Sequence, residues 1–168
     1  VGASGRQGYV LALRWTALDA EPGLDQLGAT LRMNRAASVA EFIEATRGWV
    51  APMQNMVVAD AQGHIGYIAP GRVPLRRVEH DLRGLAPAPG WDARYDWAGW
   101  LPFEALPQQR DPQRGYIATA NQRIVASDYP HFLTSSWALP FRQQRIEQML
   151  DAKPRHSLAD LQTQHADV

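Results

Sequence analysis

The sequence predicts an α+β fold, and three kinds of segment carry this prediction. Two β-rich runs at 56–59 and 64–69 flank a Gly-containing turn at 60–63, which is the pattern of a β-hairpin. Two stretches place a serine three residues before an acidic residue, as at the capped start of a helix: Ser38-Val-Ala-Glu41 and Ser157-Leu-Ala-Asp160. Residues 70–114 are rich in Pro, Gly and Trp and predict a long loop between the regular elements.

The amino-terminal part adds a strand and two helices. The apolar run Tyr9-Val-Leu-Ala-Leu-Arg-Trp15 predicts a buried strand. Leucines at 24, 27 and 31 have helical spacing and predict a short helix that ends near Asn34. The helix that follows Ser38 is predicted to end at Gly48, with these side chains facing inward: Val39, Phe42, Ile43 and Thr46.

The second half continues with an ordered loop, a strand and two helices. We expect the loop 70–114 to be anchored by its aromatic residues, since an irregular segment of this length is unusual in a compact domain unless it packs on a surface or lines a site. Residues 115–121 predict a short apolar strand that ends in a polar amide, Asn121. A helix is predicted over 141–152, with Ile146, Met149 and Leu150 inward, and a last helix runs from Ser157 to the end of the sequence.

The length and composition of the sequence argue against several classes of function. The 168 residues suffice for one domain, 1–168, with a sizeable core. Lys plus Arg and Asp plus Glu both number 17, so the net charge is zero, which argues against a nucleic-acid or anionic-membrane partner. Cysteine is absent, which excludes disulfides, a Cys nucleophile and thiolate metal sites. No apolar run reaches membrane-spanning length, and both ends of the sequence suggest a piece of a longer chain.

The residues by themselves give no complete catalytic set. The five histidines show no metal-binding spacing, and no nucleotide-binding glycine motif or G-x-S-x-G nucleophile elbow occurs. Asn121 at a strand end is either a turn former or a side-chain N–H donor for a substrate oxyanion. Arg142, at the start of a predicted helix, is by the same reasoning a surface residue or an ion-pair partner.

Nine short motifs, taken together and in order, resemble the penicillin acylase family of N-terminal-nucleophile hydrolases. The resemblance covers the sequence from about Val10 to its end. The motifs are Leu11-Ala-Leu-Arg-Trp-Thr-Ala17, Pro52-x-Gln-Asn55 with Ala59-Asp60-x-x-Gly63-x-Ile-Gly-Tyr67, Gly71-x-x-Pro74, Gly90-Trp91, Trp97-x-Gly99-x-x-Pro-Phe-Glu104, Asp111-Pro112, Gly115-Tyr-Ile-x-Thr-Ala-Asn121, Tyr129-Pro130 and 137–142.

The resemblance implies a fold and a mechanism. The family fold is a four-layer αββα sandwich, of which this segment would supply part of a sheet, flanking helices and a loop. An N-terminal Ser of the family's β chain attacks an amide carbonyl with its own α-amino group as general base. By resemblance Asn121 is the side-chain oxyanion donor, and Arg142 orients the Ser and the Asn. Trp15 and Gln54 fall where family members line the acyl pocket.

The resemblance also sets expectations for cofactors, partners and location. We expect no cofactor, because the main carboxylate ligands of the family's calcium lie outside this segment and no acidic cluster replaces them. The expected partners are a small acylated amine and the remaining α and β chains, and the parent protein is expected in the periplasm or outside the cell. Since Val1 has no hydroxyl, the segment is expected to be inactive by itself and to self-associate through exposed strand edges.

Two other interpretations remain open at this level. The scaffold could be a non-catalytic module that binds an acyl ligand or a partner chain, or an unrelated α+β domain. An autocleavage junction upstream of Val1, with a mature chain that begins at Ser, would favour the enzyme over the binding module.

Overall fold

The computed structural model describes residues 8–19 and 24–167. The chain divides into two units, Val1–Arg110 and Asp111–Val168, and each is described by itself below. Both helices and sheets are present, so the α+β prediction is confirmed. Within the described ranges, no helix is both long and apolar enough to cross a membrane.

The first unit contains the two helices that the sequence predicts. Helix α1 spans Gln26–Met33, and its N-cap is Asp25, whose carboxylate accepts a hydrogen bond from Gly28 N. Helix α2 spans Val39–Ala45, and the Ser38 hydroxyl oxygen accepts a hydrogen bond from Glu41 N. The Glu41 carboxylate accepts from Ala37 N, one residue before the cap, and therefore joins the first turn of the helix to the chain that precedes it.

The predicted hairpin is confirmed. Strand β1 (Met56–Ala59) pairs antiparallel with β2 (Ile65–Ile68) in a register that places Met56 opposite Ile68. The carboxylate of Asp60 accepts hydrogen bonds from Gln62 N and His64 N within the turn, and from Val39 N at the start of α2. One turn residue therefore joins the hairpin to the helix that packs on it.

The core of the first unit lies between α2 and the hairpin. Val39, Ile43 and Ile68 form its buried centre, and Met56, Val58 and Phe103 pack around them. The helix approaches β2 closely at Gly66, where a Cβ atom would lie 2.4 Å from Val39 Cγ1. The glycine is required here by packing, because any side chain would collide with the helix.

Residues 70–114 contain three short strands, so the prediction of a continuous loop was wrong in these places. Strand β3 (Pro74–Arg76) pairs with β4 (Trp97–Trp100), and β5 (Gln108–Arg110) joins the free edge of β2. Strand β3 begins with a proline and contains a bulge. Because of both features, its residues do not show the strict alternation of apolar and polar side chains that predicts a strand. Aromatic anchoring is present: the Arg72 guanidinium lies 3.6 Å from the Trp100 ring.

The predicted strand at 9–15 does not form. Apart from an isolated bridge at Val10, these residues are outside both sheets, and Leu13 is 78% exposed. Strand propensity needs a neighbouring strand to satisfy the backbone, and no strand of the two described sheets extends along this segment. The local pattern is therefore not sufficient to form a strand here.

The second unit contains helices α3 (Phe141–Asp151) and α4 (Leu158–His165). Helix α4 begins with the predicted capping box, in which Ser157 and Asp160 bond reciprocally, and it ends at His165, before the end of the sequence. Along α3 Ile146, Met149 and Leu150 are half-buried as expected, but the most buried side chain is the polar Gln143. The predicted strand at 115–121 is absent from both sheets, because α3 takes the place of a partner strand.

Candidate active site

A row of hydrogen bonds fastens segment 114–121 to helix α3. The contacts join alternate residues of the segment to side chains of the helix. The contacts are Arg114 Nη1 to Glu147 Oε1 at 2.7 Å, Tyr116 Oη to Asp151 Oδ1 at 2.9 Å, Gln143 Nε2 to Ala118 O at 3.1 Å and Arg142 Nη2 to Ala120 O at 2.8 Å. The segment is therefore held against the helix without a β-ladder.

Asn121 ends this segment in a left-handed backbone conformation. Its φ is 65°, a value that asparagine tolerates better than other residues with a Cβ atom. The turn is closed on both sides, since Ala138 N donates to Asn121 O at 3.0 Å and Ala120 N donates to Gln122 Oε1 at 2.9 Å. From the sequence, Asn121 is either a turn former or a hydrogen-bond donor. Its backbone conformation shows that it forms a turn, and its exposed side chain can donate as well.

The orientation of the Asn121 amide follows from its partner. Arg142 Nη2 lies 3.0 Å from Asn121 Oδ1, and a guanidinium can only donate hydrogen bonds, so it selects the oxygen of the amide. The Nδ2 group is then turned away from Arg142. The side chain is exposed, and no acceptor in the described parts of the chain binds its Nδ2. The arrangement presents a free, oriented N–H donor to an acceptor oxygen from outside.

Gln143 and Glu147 are two polar residues of this site that the sequence reasoning missed. Gln143 is 6% exposed, and its Nε2 donates to both Ala118 O and Glu147 Oε1. Both residues lie on α3, four positions apart and therefore on one helix face. A polar pair at this spacing directly after Arg142 was the available signal, but the helix pattern had placed apolar residues on the inward face.

Tyr116 and Asp151 form a contact near the start of segment 114–121, at the end away from Asn121. Burial and the hydrogen bond to Asp151 raise the pKa of Tyr116 above its ordinary value, so its hydroxyl stays protonated as a donor to that carboxylate. The Arg114 guanidinium pairs with Glu147 and also donates to Tyr116 O at 3.1 Å. The segment is thus tied at its start as well as at Asn121.

Trp15 and Gln54 both belong to the first unit. Trp15 is 51% exposed, and its carbonyl accepts from Leu18 N in a short 3-10 turn. Gln54 is exposed and makes no hydrogen bond to another described residue, whereas its neighbour Asn55 accepts from the Tyr67 hydroxyl at 2.6 Å. Nothing in the geometry of this unit tests a pocket-lining role for Trp15 or Gln54, which stays a prediction.

The described residues do not supply a metal site. Across 8–19 and 24–167, no three His, Asp or Glu side chains are grouped so that they could hold an ion. The expectation that this chain binds no cofactor stays a prediction.

Comparison with known proteins gives consistent matches. The family model described as Penicillin amidase matches residues 2–168. The Penicillin acylase 2 proenzyme of Pseudomonas sp. strain SE83 is 42% identical over 137 residues, which are 82% of this chain and 17% of that protein. The Acyl-homoserine lactone acylase QuiP of Pseudomonas aeruginosa is 39% identical over 151 residues, 90% of this chain and 17% of that protein.

A solved structure agrees with these relatives. The thermostable Penicillin G acylase from Alcaligenes faecalis matches with a TM-score of 0.69 and 26% sequence identity, over 83% of this chain and 24% of that chain. The chain thus spans about a sixth of the length of the two relatives named above.

Proposed function

Since this chain belongs to the penicillin amidase family, we propose that it is part of an amidohydrolase that cleaves a linear amide through a Ser acyl-enzyme. Family membership removes the interpretation as an unrelated α+β domain. The single observation that carries the proposal beyond membership is the pairing of Asn121 with Arg142, which turns an amide N–H outward from the end of a fixed segment.

The proposed task of Asn121 is to donate Nδ2–H to the substrate carbonyl oxygen as it becomes an oxyanion. A donor that is already oriented helps more than one that must turn during the reaction, because it costs no reorganisation in the transition state. Arg142 keeps the amide oxygen on its own side and thereby keeps the N–H directed outward, toward the position proposed for the substrate carbonyl oxygen. The proposed nucleophile is an N-terminal Ser contributed by another part of the parent protein, so this chain alone is expected to be inactive.

The proposed substrates share an acyl group joined to an amine nitrogen. Among the relatives, some are named penicillin acylases and others acyl-homoserine lactone acylases. We therefore propose an N-acyl side chain of a β-lactam, an acyl-homoserine lactone or a similar linear amide, with hydrolysis of a C–N bond that is not a peptide bond. Trp15 and Gln54 are proposed to contact the acyl chain, and the parent protein is proposed to act in the periplasm or outside the cell.

The test uses the full-length protein that carries this segment. Release of the free carboxylic acid from a penicillin and from an acyl-homoserine lactone is measured for the native protein and for Asn121→Gly. We expect acid release from at least one substrate class and a loss of about 10²–10³ in kcat in the variant. Native protein that binds an acyl ligand but releases no acid, and whose mature chain does not begin at Ser, would replace the proposal by the non-catalytic binding module.

A further inference from the structure

Four side-chain contacts hold the segment that carries Asn121, and the two nearest to Asn121 come from Arg142 and Gln143. Arg142 reaches the segment at Ala120 and Asn121, whereas Gln143 reaches it two residues earlier, at Ala118 O. The Gln143 side chain is buried, and its amide also donates to Glu147 Oε1 at 2.9 Å.

We propose that Gln143 is a positioning residue for the Asn121 donor, and that Glu147 holds Gln143 in the conformation that this task needs. The proposal rests on the proposed function of Asn121. The contacts of Arg114 and Tyr116 lie well before Asn121, so by themselves they leave the end of the segment free to pivot. The contact at residue 120 fixes the position of this end, and the contact at residue 118 also fixes its direction, which determines where the Asn121 side chain projects.

Glu147 is suited to this role because one of its carboxylate oxygens accepts hydrogen bonds from two donors. Its Oε1 accepts from Gln143 Nε2 and from Arg114 Nη1 at 2.7 Å. Arg114 lies at the start of the segment, so the carboxylate connects that start to the glutamine that holds its middle. Hydrogen bonds to a charged group are stronger than neutral ones, and this favours a single rotamer of the buried Gln143.

A positioning role differs from a merely structural one in what it predicts. Loss of a structural contact lowers stability and leaves the turnover of the folded enzyme unchanged. Loss of a positioning contact lowers kcat, since a misplacement of about 1 Å in a catalytic group can cost on the order of 10²-fold. Its effect must also disappear once the positioned group is gone.

A double-mutant cycle in the full-length enzyme makes this distinction. Gln143→Met removes both amide donors with little change in volume, and Gln144→Met is the matched control, because Gln144 is an exposed neighbour on the same helix. Each is combined with Asn121→Gly. We expect Gln143→Met to lower kcat about ten- to hundredfold with a small change in KM, and to have no further effect in the Asn121→Gly background.

Inhibitor binding gives a second measurement of the same role, and a second variant is used if the first does not fold. Inhibition by a boronate that mimics the tetrahedral intermediate should weaken in Gln143→Met, while inhibition by the carboxylic acid product should not. If Gln143→Met does not fold, Gln143→Glu keeps the shape but, once ionised, has no donor for Ala118 O, and the same measurements apply.

The outcomes separate this inference from the proposed function. If Asn121→Gly alone leaves kcat unchanged, the proposed function fails. If Asn121→Gly lowers kcat but the effect of Gln143→Met is absent or simply additive, the positioning role of Gln143 is overturned and the role of Asn121 stands.

Discussion

One guanidinium nitrogen, Arg142 Nη2, donates to acceptors of two consecutive residues, Ala120 O at 2.8 Å and Asn121 Oδ1 at 3.0 Å. The first contact holds the backbone directly before the left-handed turn at Asn121, and the second sets the rotation of the Asn121 amide. Because the partner can only donate, the N–H side of this amide is directed outward. The arrangement links the backbone conformation of a turn to the direction of a proposed catalytic donor.

The first prediction concerns the choice of substitution at Asn121. Alanine at a φ of 65° strains the backbone by roughly 1–2 kcal/mol relative to glycine, so Asn121→Ala mixes lost donation with lost stability. We expect Asn121→Gly to keep the native unfolding temperature more closely and still to lower kcat by about 10²–10³. Thermal unfolding and steady-state kinetics of both variants measure the two effects separately.

A further substitution, Asn121→Asp, tests whether the side chain must donate a hydrogen bond. The aspartate can keep the hydrogen bonds from Arg142, but it has no N–H and adds a negative charge where an oxyanion is proposed to form. We expect a larger loss of kcat than in Asn121→Gly, with a stable fold. An Asp variant as active as the native enzyme would contradict the assignment of Asn121 as a donor.

The second prediction concerns the guanidinium of Arg142. Lysine keeps the positive charge, but its nitrogen ends a flexible chain and lacks the planar guanidinium that fixes the direction of the Nη2 donor. We expect Arg142→Lys to lower kcat about ten- to hundredfold, because the amide of Asn121 is no longer held in one rotation. The control is Arg145→Lys, on the same helix, where the native arginine pairs with Asp167. Equal losses in both variants would show that Arg142 acts through the stability of the helix.

The sequence could predict local elements but not which elements pair. The capped helices and the hairpin depend on residues close in sequence, such as Ser157 with Asp160, and both were predicted. The strands at 74–76 and 97–100 pair across more than twenty residues, and no local pattern reports such a contact. Segment 115–121 has the composition of a strand, but its neighbour is a helix, so the same apolar residues form no ladder.

In the candidate site, too, the sequence predicted local features but not tertiary contacts. Asn121 and Arg142 were singled out from motifs, and the structure brings their side chains into contact. Gln143 was missed because a buried glutamine on the inward face of a helix contradicts the apolar pattern that predicts such a face. Its burial makes sense only with the carbonyl of Ala118 beside it, which is a tertiary contact.

The third prediction concerns the close approach of α2 to β2. A methyl group at position 66 would collide with Val39 Cγ1, and overpacking of a filled core typically costs about 1–3 kcal/mol. We expect Gly66→Ala to lower the free energy of unfolding by this amount in chemical denaturation. Gly90→Ala is the matched control, since no atom lies within 4 Å of a Cβ there. A native-like Gly66→Ala would mean that the helix packs less tightly on the strand.

The fourth prediction concerns the pH dependence that Asp160 gives to α4. The hydrogen bond from Lys153, followed by those from the Ser157 backbone and hydroxyl, lowers the pKa of Asp160 below its ordinary value. A group whose pKa is lower in the folded state stabilises that state above its unfolded pKa, about 3.9, and loses this contribution as the pH falls through the folded value. We expect acid to weaken the start of α4 in this low range, whereas the contribution of Asp160 is complete and independent of pH between pH 6 and 8.

Asp160→Asn isolates this contribution. The amide cannot ionise, so the difference in unfolding free energy between native protein and variant should be constant at neutral pH and shrink below about pH 4. Asp128→Asn serves as the control, because Asp128 is exposed and makes no hydrogen bond to another residue in the described ranges. A difference that grows on acidification would reverse the sign, and would mean that the folded state binds the proton of Asp160 more tightly than the unfolded chain does.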